Sequence, residues 1–279
     1  MTHPALNSGS VAVVTGGASG IGLAAAAQFA SMGMRVAVVD RAKDKLADAE
    51  AALRSAGAAD VMVATTDVTD RAEFIELEAE VTQRFVGSEI IMNNAGIGVR
   101  SSCLGPLDAW EKTLGVNLWG AVHGSQVFLP GMIARGRPGA VINTGSKQGI
   151  TTPPGNPAYN VSKSALKTFT EALAHELRNT EDCQISAHLL IPGFVHTPMI
   201  GLAEKPPAAW TADQTAQFFV ESINRGDFYI LCPDNDVPRT LDEKRIAWAV
   251  GDIIENRPAL SRWHPDYEAA FAAYIEDES

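Results

Sequence analysis

The sequence predicts an α/β fold whose centre is a doubly wound parallel β-sheet of about seven strands with helices on both faces, followed by a C-terminal helical extension. Three observations predict it. Short runs rich in β-branched residues recur, segments with helical periodicity lie between them, and the two kinds of segment alternate almost without exception. This alternation is typical of βαβ units, whose right-handed crossovers cover both faces of a parallel sheet.

The predicted strands are short apolar runs, as expected for strands that are buried on both faces. They span residues 11–15, 35–39, 61–65, 89–92, 140–143, 185–191 and 228–232. Helical periodicity marks the connections, among them residues 23–32, 43–56, 71–85, 114–134 and 162–177. We therefore expect one domain over residues 1–279, with its core at about residues 9–235.

Two segments interrupt the alternation. Residues 192–210 carry four prolines, and a long loop of this kind is often functional, which predicts a substrate loop or lid. Residues 238–279 form the extension, where Ile246, Val250, Ile253 and Ile254 have the spacing of a helix.

Composition excludes several classes of function. A formal net charge of -11 argues against a nucleic-acid partner, which requires clustered Lys and Arg. The first ten residues lack the basic and apolar parts of a signal peptide, and no apolar run approaches the roughly 18 residues of a transmembrane helix. The three cysteines have no CxxC spacing, so no disulfide framework and no metal site is predicted. We expect a cytoplasmic protein without membrane partners.

The residues after the first predicted strand read TGGASGIG, at positions 15–22, and lead into an alanine-rich helix. Gly16 permits a tight turn, Gly20 permits close approach of a pyrophosphate, and Gly22 permits tight packing of helix against strand. The N–H groups at the helix N-terminus then bind the anion, which explains how an acidic protein holds one. The motif predicts a Rossmann-type dinucleotide site, although a glycine-rich turn without a ligand is the alternative.

Asp40 ends the second predicted strand, 18 residues after Gly22. An acid at about this spacing bonds the adenosine ribose hydroxyl and repels a 2′-phosphate, which favours NAD. The adjacent Arg41 leaves NADP open, because an arginine here can accept that phosphate. Asp40 could also be a helix N-cap only.

Tyr159 and Lys163 are four residues apart in a helical segment, so their side chains project from one face. A neighbouring ammonium and an oxidised nicotinamide would lower the tyrosine pKa, so that the phenolate could act as a base. Ser146 lies just beyond the fifth predicted strand, at the edge where open α/β sheets bind ligands. Its hydroxyl could hold a substrate oxygen beside Tyr159.

With these motifs in order, the chain resembles the short-chain dehydrogenase/reductase family, in its compact single-domain branch, over about residues 9–235. The resemblance implies a catalytic tetrad of Asn117, Ser146, Tyr159 and Lys163. It also implies a homo-oligomer, a tetramer or dimer, joined through helices at about residues 106–135 and 157–180. The implied cofactor contacts come from Gly16, Ser19, Gly20, Ile21, Gly22, Asp40, Arg41, Asp67, Val68, Asn94, Ala95, Gly96, Tyr159, Lys163, Pro192, Gly193, Val195 and Thr197.

The implied activity is an NAD(H)-dependent transfer of hydride between the nicotinamide and a secondary alcohol or ketone. The segments expected at the substrate, residues 101–104, 150–156 and 194–210, are rich in apolar residues, so an apolar or aromatic substrate is predicted. Ser146, Gln148, Phe194 and Met199 are its candidate contacts. A non-catalytic nucleotide sensor, an NADP-preferring carbonyl reductase and a methyltransferase are the alternatives.

The departures from the family pattern lie near the predicted chemistry. Gly145 occupies a position where a second serine is common, and Lys147 follows Ser146. Lys147 could face an acidic substrate group or be a solvated loop residue. Aromatic residues of the extension could cover a neighbouring subunit's active site or fold onto the chain's own surface; they are Trp248, Trp263, His264 and Tyr267.

Overall fold

A seven-stranded parallel sheet forms the centre of the computed structural model, which describes residues 2–277. Its strands are β1 (Val11–Thr15), β2 (Arg35–Asp40), β3 (Asp60–Thr65), β4 (Ile90–Asn93), β5 (Gly139–Thr144), β6 (Ile185–Ile191) and β9 (Tyr229–Leu231). A separate short parallel pair is formed by β7 (Val195–His196) and β8 (Trp210–Thr211). The sheet order is β3-β2-β1-β4-β5-β6-β9. The chain adds strands on one side of β1 up to β3 and on the other side from β4 onwards, so a ligand crevice opens beyond the carboxyl ends of β1 and β4.

Helices connect the strands and follow the last one. They are α1 (Gly20–Ser31), α2 (Lys43–Ser55), α3 (Arg71–Phe85), α4 (Leu107–Leu114), α5 (Gly120–Ala134), α6 (Gln148–Thr151), α7 (Pro157–Asn179), α8 (Ala212–Arg225), α9 (Arg239–Ile254) and α10 (Glu268–Glu276). Within residues 2–277, no helix combines the length and the apolar character that crossing a membrane requires.

The core lies on both faces of the sheet, as the sequence predicts. Alternate residues of β1 point to opposite faces: Ala12 and Val14 pack with α1, α2 and α8, while Val11 and Val13 pack with α3, α5 and α7. Each of the four is fully buried. A strand buried in this way needs a continuous apolar run, which is the pattern that the sequence shows.

Two helices near the crevice begin earlier than predicted. The predicted helix at residues 114–134 is continuous with α4, which begins at Leu107 and joins α5 through one π-helical turn at Gly115–Trp119. The predicted helix at residues 162–177 begins at Pro157, because a proline suits the first helical position. Tyr159 therefore lies in the first turn of α7, one turn before Lys163.

The predicted loop at residues 192–210 has structure of its own. The Trp210 N–H donates to the Phe194 carbonyl oxygen at 2.9 Å, and a 3-10 turn at Pro198–Ile200 lies between β7 and β8. Thr211 and Gln214 then form a capping box that starts α8. The loop is thus anchored at both ends beside the crevice.

The C-terminal extension folds onto its own chain. In α9, Ile253 and Ile254 are exposed, whereas Asp242 and Trp248 are buried. The Trp248 indole donates to Ser261 Oγ at 2.7 Å and also contacts α10. Apolar spacing predicts the helix correctly, but it does not identify the face that packs.

Candidate functional site

A cleft of about 780 Å³ lies at the carboxyl ends of β1, β4 and β5. It brings together nearly all of the residues predicted from the sequence. Gly22 and Asn117 are the predicted residues that do not line it. The lining set includes Gly16, Ser19, Gly20, Ile21, Asp40, Arg41, Asp67, Val68, Asn94, Ala95, Gly96, Ser146, Gln148, Tyr159, Lys163, Pro192, Gly193, Phe194, Val195, Thr197 and Met199.

The glycine loop between β1 and α1 requires glycine for steric reasons. Gly16 has φ +62°, and a Cβ added there would lie 2.8 Å from Ala95 Cα. At Gly22, which packs behind the loop, a Cβ would overlap the Gly16 carbonyl oxygen and the Asn94 amide. No side chain caps the N-terminus of α1, so its first N–H groups are available to an anion. The loop therefore fits the pyrophosphate of a dinucleotide.

Asn94 holds this loop to the neighbouring strands. Its Nδ2 donates to the carbonyl oxygens of Thr15 and Gly16 at 3.1 and 3.3 Å, and its Oδ1 accepts from Thr144 Oγ1 at 3.2 Å. Its side chain therefore positions the glycine loop, the turn after β4 and the end of β5 together. The family resemblance identifies Asn94 as a cofactor contact, through the residues NNAG at positions 93–96, but nothing in the local pattern indicates Thr144.

The far end of the cleft carries the groups predicted to select the cofactor. Asp40 Oδ2 accepts from the Ala18 N–H at 3.2 Å and Oδ1 accepts from the Ala42 N–H at 3.0 Å. Asp40 thus holds the glycine loop and the turn before α2, while its carboxylate lines the cleft. The largely exposed Arg41 lies 3.8 Å from the Asp67 carboxylate. A carboxylate, not a free guanidinium, thus lies at the end of β2.

Lys163 lies under the cleft and is almost fully buried. Its Nζ donates to the Thr144 carbonyl oxygen at 2.7 Å and lies 5.8 Å from the centre of the Tyr159 ring. Burial lowers the pKa of Lys163 from 10.5 to about 8, because the interior solvates an ammonium poorly. This ammonium is therefore poised to lose or keep its proton close to neutral pH.

The pKa of Tyr159 is raised, whereas the sequence leads us to expect a lowered value. Burial raises this pKa, and hydrogen bonding with Ser146 only partly opposes the rise. The Lys163 ammonium lies 5.8 Å from the centre of the Tyr159 ring and donates to the Thr144 carbonyl oxygen, and burial outweighs the expected lowering of the Tyr159 pKa. An additional positive charge in the cleft would be needed to lower the Tyr159 pKa below its usual value.

Asn117 acts from behind the cleft. It lies in the π-helical turn between α4 and α5, where its Oδ1 accepts from the Ile97 N–H at 2.8 Å. Its Nδ2 donates to the Ile97 carbonyl oxygen and to Ser162 Oγ, both at 3.0 Å. Ser162 in turn donates to the Tyr159 carbonyl oxygen at 2.8 Å. Asn117 thus joins the wall of the cleft to the helix that carries Tyr159, and sequence reasoning does not identify Ser162.

The predicted substrate contacts Gln148, Phe194 and Met199 lie at the open end of the cleft, and all three are exposed. Asn156 and Ile200, from the segments expected at the substrate, also line the cleft, and the structure adds Ile97 and Gly98, which lie outside those segments. The mouth of the cleft is therefore mainly apolar, with few hydrogen-bonding groups.

Neither sequence interpretation of Lys147 is correct. Its ammonium is neither a solvated loop group nor a free partner for an acidic substrate, because it pairs with the buried carboxylates of Asp234 and Asp242. Both partners lie about 90 residues further along the chain, so no local pattern indicates them.

Comparison with known proteins identifies the family. The family model for short chain dehydrogenases matches residues 10–207. The 1-deoxy-11-beta-hydroxypentalenate dehydrogenase of Streptomyces avermitilis is 34% identical over 248 residues, which cover 86% of this chain and 90% of that protein. The NADP-dependent (R)-specific alcohol dehydrogenase of Lentilactobacillus kefiri is 32% identical over 194 residues, which cover 69% and 75% respectively.

Solved structures agree. The crystal structure of a short-chain dehydrogenase/reductase from Burkholderia phymatum in complex with NAD superposes with a TM-score of 0.83 at 29% identity, covering 92% of this chain and 98% of that one. The parallel sheet, the glycine loop and these matches together lead to one conclusion. The chain belongs to the short-chain dehydrogenase/reductase family of oxidoreductases.

Proposed function

We propose that this protein is an NAD(H)-dependent oxidoreductase that interconverts a secondary alcohol and a ketone of mainly apolar or aromatic character. The observation that carries the proposal is the convergence of Ser146, Tyr159 and Lys163 in the cleft that the glycine loop also lines. A protein that only sensed nucleotides would need the loop but not these three side chains. A methyltransferase would not need them either.

The nicotinamide, when bound, supplies the acceptor or donor of the hydride. Every other task falls to the chain. Ser146 donates a hydrogen bond to the substrate oxygen and holds it beside the Tyr159 hydroxyl. During oxidation the Tyr159 phenolate accepts the hydroxyl proton, and during reduction the phenol returns a proton to the carbonyl oxygen. Lys163 binds the ribose and stabilises the phenolate by its charge.

Asn117 supports this arrangement without contacting the reacting atoms. Its three hydrogen bonds hold the Ile97 backbone and Ser162, and Ser162 fixes the first turn of α7 at the Tyr159 carbonyl. Buried amides of this kind are costly to leave unpaired, so they hold their partners in one geometry. We propose that Asn117 thereby positions Tyr159 against the cleft wall.

The preference for NAD rests on Asp40. Its carboxylate is held by two backbone N–H groups at the end of β2, where it would accept from a ribose hydroxyl and repel a 2′-phosphate. NADP use is the second candidate, because the exposed Arg41 is held only by a long contact to Asp67. The relative from Lentilactobacillus kefiri is NADP-dependent by name.

We also propose a homo-oligomer that is joined through α4, α5 and α7. Large apolar side chains are exposed at Leu107 in α4, at Trp119 in the π-helical turn before α5 and at Val161 in α7. Exposed apolar side chains mark interaction surfaces where they lie together. Light scattering on the purified protein should give the mass of a dimer or tetramer, and a monomer at micromolar concentration would contradict the proposal.

The decisive test of the reaction combines a substrate panel with one substitution. The wild-type protein is assayed with NAD or NADP and secondary alcohols of increasing apolar size, from 2-propanol to 1-phenylethanol, by the absorbance of the reduced nicotinamide. Tyr159→Phe should lose essentially all turnover while the Kd for NADH, measured by fluorescence, stays within about twofold, since only the hydroxyl is removed. Substantial turnover by this variant would contradict the role of Tyr159.

A further inference from the structure

An ion cluster lies directly behind the residue that we propose holds the substrate oxygen. Lys147 Nζ is 2.6 Å from Asp242 Oδ2 and 3.2 Å from Asp234 Oδ2. The three side chains are 16%, 5% and 6% exposed, respectively. Charges buried to this extent hold their geometry strictly, because either partner left alone would be a desolvated, unpaired charge.

The cluster joins three parts of the molecule that are far apart in sequence. Lys147 follows Ser146, and its backbone N–H donates to the Pro192 carbonyl oxygen at 3.3 Å. Asp234 Oδ2, besides meeting Lys147, accepts from the Phe194 N–H at 3.1 Å. Asp242 belongs to α9 of the C-terminal extension. The loop of Ser146, the segment 192–194 and the extension therefore converge on one ammonium.

The Gly193 backbone packs closely against the ion cluster. A Cβ added to Gly193 would lie 2.6 Å from Asp234 Oδ2 and 2.7 Å from Lys147 Nζ. The Gly193 backbone thus lies directly against the ion pair. The ion cluster therefore contacts the segment that the family resemblance places at the nicotinamide.

The charges in the cluster also depend on one another. Burial raises the pKa of Asp242, whereas the Lys147 ammonium opposes that rise, and the Asp234 carboxylate adds to it. Arg245 is a further cation that acts on Asp242. Without Lys147, the buried carboxylates of Asp234 and Asp242 would repel each other, and this repulsion would favour protonation of one of them.

We propose that Lys147 is a positioning residue whose ammonium, held by Asp234 and Asp242, fixes Ser146 and residues 192–194 relative to each other. The C-terminal extension is thereby part of the catalytic framework, through Asp242. This inference rests on the proposed function, because it acts through Ser146. Lys147 also lines the cleft, but its ammonium is paired with the two carboxylates, so we expect it to act through Ser146 and residues 192–194.

The test is a double-mutant cycle in the full-length protein with the most active alcohol of the panel. Lys147→Met should lower kcat by about tenfold or more when Ser146 is present. In a Ser146→Ala background it should lower kcat by no more than about twofold, because the hydroxyl that Lys147 positions has already been removed. Asp242→Asn is run through the same cycle and should give the same pattern with a smaller loss. Asp242→Asn leaves the ion pair between Lys147 and Asp234 in place, so the proposal can still be tested if Lys147→Met does not fold.

The control is Lys167→Met, which removes the partly exposed pair of Lys167 with Glu171 on α7 and should leave kcat within about twofold. Equal fractional losses of kcat in both backgrounds would show a merely structural role and overturn the proposal. Wild-type kcat in Lys147→Met would overturn it as well, while leaving the proposed function intact. Wild-type kcat in Ser146→Ala would overturn both.

Discussion

Lys163 is the residue at which stability and the proposed activity oppose each other most directly. Its ammonium is almost fully buried, and among the described residues 2–277 it donates one hydrogen bond, to the Thr144 carbonyl oxygen. We expect Lys163→Met, which keeps the length of the side chain and removes its charge, to abolish turnover. The same substitution should make the cofactor-free protein more stable at pH 7.

The magnitude follows from the pKa. Burial lowers the pKa of Lys163 from 10.5 to about 8, and each pKa unit corresponds to about 1.4 kcal/mol. The ionised lysine therefore destabilises the fold by about 3 kcal/mol below pH 8. Losing the hydrogen bond to Thr144 offsets about 1 kcal/mol of the gain. The variant should therefore exceed the wild type by about 2 kcal/mol in unfolding free energy at pH 7.

The sign of the pH dependence distinguishes this cause from better packing. A lysine whose folded-state pKa is lowered binds its proton more readily in the unfolded chain between pH 8 and 10.5. Wild-type stability therefore gains from this residue as the pH rises through that window. The advantage of Lys163→Met should shrink by about 3 kcal/mol between pH 7 and pH 10.5, because the wild-type lysine becomes neutral.

Urea unfolding of both proteins at equal concentration, at pH 7, 8.5 and 10.5, measures this difference. Lys167→Met, one helical turn further along α7 at a partly exposed ion pair, is the matched control and should change stability by less than about 1 kcal/mol at every pH. The reasoning would be refuted if the difference in unfolding free energy between Lys163→Met and the wild type did not vary with pH. A variant less stable than the wild type at pH 7 would also refute it.

Two further predictions concern the cofactor site. Gly22→Ala should weaken NADH binding by at least about tenfold and lower the Tm, because the added methyl would overlap the Gly16 carbonyl and the Asn94 amide. The control is Gly131→Ala in α5, where the nearest atom belongs to the flexible Arg135 side chain; it should change neither NADH binding nor the Tm. Equal effects of Gly22→Ala and Gly131→Ala would contradict the steric argument. Asp40→Ser should raise the ratio of kcat/KM for NADP over NAD by about tenfold or more, because the charge that repels the 2′-phosphate is removed; an unchanged ratio in assays with both cofactors would exclude Asp40 as the selecting residue.

Local patterns in the sequence were sufficient for the fold class. Continuous apolar runs alternate with helical periodicity, and strands buried on both faces between helices follow directly from that alternation. The glycine loop was equally predictable, because its turn and its close packing need residues without a Cβ at fixed positions, as the crowding around Gly16 and Gly22 shows. The order of the motifs along the chain then identified the family.

Helix boundaries and the packed face of α9 were less predictable. Pro157 starts α7 five residues before the predicted boundary, and the π-helical turn around Asn117 has no signature in apolar spacing. In α9 the exposed Ile253 and Ile254 match the predicted apolar pattern, yet the buried Asp242 decides how the helix packs. The packed side of α9 thus carries Ile246, Trp248 and the Asp242 that pairs with Lys147, a residue distant in sequence.

The sequence by itself therefore determined the parallel sheet and the dinucleotide loop, since both depend on neighbours in the chain. The remaining residues of the cleft followed from the resemblance to the family. The tertiary structure alone decided the electrostatics. Burial raises the pKa of Tyr159 and lowers that of Lys163, and the Lys163 ammonium donates to the Thr144 carbonyl oxygen. The partners of Lys147 were likewise set by long-range packing. Burial and contacts between distant segments govern these charges, and neither is encoded in local periodicity.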